Sequence, residues 1–375
     1  MTTDIMSVLL ASPRFPGISQ KELAQWIEAK KKCRDKLPIW FATPKIYYPD
    51  KANIEQCSSQ ATAIYKAGLV HGNSLIDLSG GLGVDSYFFA ENMGQVTHCE
   101  LDRELAQIAA HNFKVLGRDN ILCLPGDGIQ VLERSPKTYD WIYADPSRRS
   151  DKKGKVFLLE DCLPNIPKHL DLLLSRSANI LIKCSPMLDI QSGARELRHV
   201  REVQVVAREG EVKELLFLLE RGYSGDLALR AVDLARRGER SFAFSLAGEQ
   251  AARARLATPA TYLYEPNAAI LKAGGFKSIA LAYDLGKLHP HSHLYTSDRP
   301  IDFPGRRFHI KACLPYSKRT LAALGAPRAN IATRNFPLSV AELRKRHKIA
   351  DGGEVYLFFT TGPEGGLIVL SCVKA

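Results

Sequence analysis

No Cys-x-x-Cys pair occurs among the eight cysteines of this 375-residue chain, and their spacing follows no regular pattern. A disulfide framework and a zinc knuckle are therefore not indicated. No apolar run is long enough for a membrane helix, and the first residues lack the pattern of a signal peptide. Signs of global disorder are missing as well, because 45% of the residues are hydrophobic. Acidic residues are in deficit, 40 against 51 lysines and arginines, for a formal net charge of +11. The expectation is a reduced, cytoplasmic protein with material for two or three packed domains.

What is present begins with Leu75-Ile-Asp-Leu-Ser-Gly-Gly-Leu-Gly-Val-Asp85. An apolar strand ends on Asp77, and the chain turns through Ser79, Gly80, Gly81 and Gly83 into a helical pattern. Glycines let backbone approach a ligand where a side chain would collide. A pyrophosphate wants bare amides, and a carboxylate at the strand end would repel it. A cation is favoured there, so the loop suits the sulfonium and ammonium of S-adenosylmethionine (SAM) better than a dinucleotide.

A second apolar run, 96–100, ends on Glu100, 23 residues after Asp77. An acid at about 20 residues' separation binds ribose hydroxyls in nucleotide-binding βαβ units. Leu101 and Asp102 then open a helix with apolar residues at Leu105, Ile108, Ala109, Phe113 and Leu116. A third strand, 121–124, leads to Asp127, placed to bond an adenine amino group. A fourth, 139–144, runs into Asp145-Pro-Ser-Arg-Arg149. Each acid alone reads equally as a surface carboxylate or a helix cap. Four in register lie where open α/β sheets bind ligands.

In this order of motifs, residues 71–220 resemble class I SAM-dependent methyltransferases. Tyr143-Ala-Asp-Pro-Ser-Arg-Arg149, Glu160-Asp-Cys-Leu-Pro164 and Lys183-Cys-Ser-Pro-Met-Leu-Asp-Ile190 narrow the likeness to bacterial methyltransferases with a C-terminal THUMP-like domain. Tyr264-Glu-Pro-Asn-Ala268, His293-Leu-Tyr-Thr-Ser297 and Arg334-Asn-Phe-Pro337 extend it over most of the chain. The resemblance implies an α/β, Rossmann-like sheet with an N-terminal helical extension and small C-terminal α+β modules. It also implies SAM as cofactor and RNA, tRNA or rRNA, as partner. Asp77, Ser79, Gly80, Gly81, Gly83, Glu100, Leu101 and Asp127 are the expected SAM contacts. No metal and no membrane partner are expected.

Catalysis is expected at Asp145, Pro146 and Arg148, since methyl transfer is an in-line displacement that mainly needs alignment. In amino-group methyltransferases the matching motif is Asp/Asn-Pro-Pro-aromatic, whose acid and a backbone carbonyl accept the amine hydrogens. Here Ser147 replaces the second proline and Arg148 the aromatic residue. A guanidinium stacks on a base or holds a phosphate, so Arg148 and Arg149 are candidate substrate contacts. Methylation at a base nitrogen is the main reading. The departure opens a rival, a pyrimidine C5-methyltransferase using Cys184 as nucleophile with Lys183 lowering its pKa; Cys184 reads equally as a buried filler. A methyltransferase for protein or a small molecule, and a non-catalytic RNA-binding protein with a vestigial fold, are the remaining alternatives.

Basic clusters at 30–32, 148–149, 152–153, 236–237, 306–307, 318–319 and 344–346 favour a nucleic-acid partner taken together, although any single pair reads as solvated surface. Along the chain, 1–70 reads as the helical extension, with Ser19 and Glu22 forming a capping box. Trp40, Phe41, Tyr47 and Tyr48 are expected mainly to pack this segment onto the sheet domain. Residues 71–256 read as the methyltransferase domain with an accessory element at 221–256, 257–317 as a ferredoxin-like module, and 318–375 as a THUMP-like module. His289, His291 and His293 flank Pro290 and read as a polar turn rather than a metal site.

Overall fold

The computed structural model describes residues 4–11, 19–148, 158–235 and 238–375. They form two compact units: 1–203 with 214–225, and 204–213 with 226–375.

The first unit opens with helices. Ser19 caps Gln20–Lys36: its hydroxyl accepts from the Glu22 amide at 3.2 Å, and Glu22 accepts from the Ser19 amide at 2.9 Å. Trp40 is buried with its ring 4.8 Å from Tyr87, edge to face, and Tyr48 donates to the Trp40 carbonyl at 2.8 Å. Tyr47 remains exposed but stacks on His111 at 4.0 Å. Trp40 and Tyr47 thus fasten the extension to the sheet domain, while Tyr48 braces Trp40 from within it.

Its strands are β1 (Gly72–Asp77), β2 (Met93–Glu100), β3 (Ile121–Pro125), β4 (Tyr139–Ala144) and β5 (Ser177–Cys184), and of β6 (Val200–Arg208) and β7 (Glu211–Glu220) it holds residues 200–203 and 214–220. Within this unit the order is β3-β2-β1-β4-β5-β7. β1 to β5 are parallel, while β7 runs antiparallel to β5. Apolar runs such as Ile180, Leu181 and Ile182 are fully buried, as a parallel sheet covered on both faces requires. Strand order reverses between β1 and β4, and ligands of such sheets bind outside the carboxyl ends at that reversal. The helix Arg103–Val115 follows β2, its Leu105, Ala109 and Phe113 buried and Asp102 capping its first turn.

The second unit holds the hairpin Ala228–Ala235/Gly238–Ser245 and a seven-stranded sheet. Within it, Gly305–Pro315 pairs with Tyr262–Pro266 on one side and Leu367–Lys374 on the other. One sheet therefore runs through both C-terminal sequence stretches. The motifs at 264–268 and 334–337 meet at Glu265, which is buried and paired with Arg306 and with Arg334 at 2.6 Å. Tyr264 donates to the Arg299 carbonyl, and Asn267 caps Ala268–Ala273. Those residues hold structure, which explains why they suggested kinship without chemistry.

His293 stacks on Phe276 at 3.6 Å, and no group of His, Cys, Asp or Glu able to hold a metal occurs among the described residues. No helix among them is long and apolar enough to cross a membrane.

Candidate functional site

Each of the four acids stands at or just past the carboxyl end of its strand, Asp77 on β1, Glu100 on β2, Asp127 after β3 and Asp145 after β4. Asp77 is buried. One of its oxygens accepts from the Ser79 amide at 3.0 Å, the other from the Ser86 hydroxyl at 2.6 Å. Burial pushes its carboxyl up to about 7, against the lowering effect of these hydrogen bonds. Asp77 thus holds the glycine loop from beneath. Behind it, Ser86 lies 3.0 Å from His98 Nδ1, and burial lowers that imidazole to about 4.

The loop keeps its shape because side chains are excluded. A Cβ on Gly80 would stand 2.0 Å from the His98 ring, and one on Gly83, whose φ is +82°, would stand 2.3 Å from Phe113. Gly81 differs: its φ of +56° favours glycine, yet a Cβ there would meet nothing within 4 Å. The space over Gly81 is open. Its amide donates to Glu100 Oε2 at 2.7 Å, and the Asp102 amide donates to Oε1 at 2.8 Å. These bonds aim the Glu100 carboxylate along the loop and leave lone pairs on both oxygens. Next to it, Leu101 is 71% exposed, an apolar side chain left in solvent at the rim.

Asp127 caps the following helix through the Ile129 amide at 2.8 Å. Asp145 is joined to the glycine loop directly, since its amide donates to Ser79 Oγ at 2.6 Å. Pro146 is buried, and Ser147–Arg148 pairs with Cys162–Leu163. The Arg148 side chain, Arg149, Lys152, Lys153 and the pair at 236–237 lie outside the described residues.

Sequence reasoning missed the partner of Asp145. Lys183 Nζ pairs with Asp145 Oδ2. The register explains it: Ala144 opposes Ile182 on parallel neighbours, so the next residue of each strand comes alongside. Burial alone would lower the Lys183 ammonium, but Asp145, Asp85 and Glu214 outweigh it and hold its pKa above the ordinary value. Behind this pair, fully buried Lys66 contacts both Glu214 oxygens, at 2.7 and 2.8 Å, and Asp85 at 3.3 Å. Ser58 and Tyr143 each donate to Asp85 at 2.8 Å. Burial raises the Asp85 carboxyl, yet Lys66, Lys183 and these donors bring it below its usual value.

Cys184 is buried, and its thiol is pushed well above the ordinary value by burial first and by Asp145 second, while Lys183 acts the other way. The ammonium expected to activate it is engaged by Asp145.

A crystal structure from Porphyromonas gingivalis W83, named as a candidate methyltransferase, is 35% identical, with a TM-score of 0.91 over all of this chain and 95% of its own. The chain belongs to the methyltransferase family with a C-terminal THUMP-like domain. Within it, residues 262–304 match a ferredoxin-like domain and 305–374 a THUMP-like domain. The chain is also similar to TrmN from Thermus thermophilus, 19% identical with a TM-score of 0.34, over 43% of this chain and 47% of that one. A further candidate methyltransferase, SMU.1697c from Streptococcus mutans solved with SAH, is 11% identical with a TM-score of 0.31, over 42% and 94%. No curated protein matches the chain.

Proposed function

We propose that this family member transfers the methyl group of SAM to a base nitrogen of RNA, a tRNA or an rRNA. One observation carries the reading: the Asp145 amide is hydrogen-bonded to Ser79, which ties the Asp-Pro turn to the glycine loop. A base held by Asp145 then lies beside whatever the loop holds, and alignment is what an in-line displacement requires.

The residues fit SAM. Open space over Gly81 admits the methionine portion, Glu100 is oriented for a vicinal diol, and exposed Leu101 offers apolar cover to adenine. Asp127 is within the same arc of strand ends and is assigned to the adenine amino group. Asp77 fixes the loop and adds negative potential toward a cation. When bound, SAM supplies the electrophilic methyl carbon. Asp145 accepts the hydrogen of the target nitrogen, which frees its lone pair for attack. Buried Pro146 stiffens the turn, while Arg148 and Arg149 are assigned to the RNA. The family membership and the net charge of +11 support RNA over a small neutral acceptor.

Thermal unfolding with and without SAM tests the cofactor assignment. At a SAM concentration about a hundred times Kd, binding should stabilise the native state by about 2.7 kcal/mol, seen as a raised Tm. An unchanged Tm up to millimolar SAM would support a vestigial fold instead.

A further inference from the structure

The Asp145–Lys183 pair sets an acceptor and a donor side by side at the carboxyl ends of β4 and β5. Only Oδ2 of Asp145 is engaged by a side chain among the described residues, and the Asp145 side chain is a third exposed. Lys183 is nearly buried, and its ammonium carries three N–H groups. Asp145 is the single acceptor it meets among the described residues. A nearly buried ammonium with spare donors is costly unless something completes its hydrogen bonds. The nearby Asp85 and Glu214 keep it charged.

Two kinds of base edge match such a pair geometrically. One is a lactam, with a ring N–H beside a carbonyl, as in guanine N1/O6 and uracil N3/O4. The other is an amidine, with an exocyclic amine beside a ring nitrogen, as in adenine and cytosine. Charge separates them. A cation on the ring nitrogen of an amidine draws the amine lone pair into the ring and weakens it as a nucleophile. A cation on a lactam oxygen stabilises the negative charge that develops as the N–H is removed, and so strengthens the nucleophile.

We propose that the acceptor is a lactam edge, with Asp145 on the ring N–H and Lys183 on the adjacent carbonyl oxygen. This rests on the reading of the protein as an RNA base methyltransferase and specifies its substrate class. In the reaction the N–H proton passes to the Asp145 carboxylate, and the N–H electron pair remains on the base, spread onto the oxygen held by Lys183. The N–CH3 bond forms as the S–CH3 bond breaks, and sulfur keeps that bonding pair. SAM becomes S-adenosylhomocysteine, and the proton leaves Asp145 for solvent.

The test is methyl transfer by the full chain from labelled SAM into RNA from cells lacking the gene, followed by nucleoside analysis. Label in 1-methylguanosine or 3-methyluridine is expected. Label in N6-methyladenosine, N4-methylcytidine or N2-methylguanosine would overturn the lactam assignment while leaving base-nitrogen methylation intact. No label in RNA would remove both. Lys183→Met gives a second readout. At saturating SAM its turnover should fall about a hundredfold with the Kd for SAM unchanged. The deficit should shrink as the pH is raised toward ionisation of the lactam N–H itself. A deficit that persists unchanged at alkaline pH, or a matching loss of SAM affinity, would contradict the role on the base.

Discussion

Asp77 shows how one residue carries two opposed demands. Its place at the end of β1 was legible from an apolar run stopping on an acid, because strand and turn are local features. Its burial was not, since that depends on Ser86 and His98 arriving from the following helix and β2. Burial raises its folded-state pKa from the usual carboxylate range to about 7. The native state therefore binds the proton more tightly than the unfolded chain, and stability declines as pH rises between about 4 and 7, by at most about 1.4 kcal/mol per pH unit. Asp77→Asn should lose that part of the pH dependence and unfold at higher denaturant than wild type at pH 8, with weaker SAM binding. Urea titrations at pH 5 and pH 8 check it; identical pH dependence in both proteins would show that Asp77 does not ionise in this range.

Among elements, the strands and the glycine loop were readable because their signals lie within a few residues. The parallel register of β4 and β5 was not, so Lys183 was read beside its chain neighbour Cys184 rather than opposite Asp145. Lys66 and Glu214 illustrate the same limit, being 148 residues apart in sequence and in direct contact in space. Together with Asp85 they anchor the helix Gln60–Ala67 to β7 and to the helix Val84–Phe89 that follows the glycine loop. Lys66→Met removes the cation that contacts both buried carboxylates, Asp85 and Glu214. It should cost about 3–5 kcal/mol, because uncompensated buried charge is expensive. Adding Glu214→Gln to that variant should recover part of the loss. Chemical denaturation of the single and double variants checks this; a loss under about 1 kcal/mol in the single variant would mean the pair is not a structural anchor.

For the whole chain, composition indicated a basic surface, and the structure shows that not every basic cluster is available for a phosphate. Arg306 is tied to Glu265 and Arg344 to Asp351. Lys345 and Arg346 stay exposed, in the last turn of Val340–His347, where the helix dipole favours them. Charge counting cannot see such pairings, which need the folded chain. The net excess of +11, which already counts these acids, still makes RNA the partner that best fits both the charge and the THUMP-like domain. The central claim, methyl transfer from SAM to RNA through Asp145, meets its most direct test in one assay. Labelled SAM is incubated with RNA from cells lacking the gene and with protein from the same cells, using wild type and Asp145→Ala. The account predicts label in RNA with wild type, none with Asp145→Ala although that variant still binds SAM, and transfer that weakens as salt is raised. Label appearing in protein and not in RNA, or full transfer to RNA by Asp145→Ala, would contradict it.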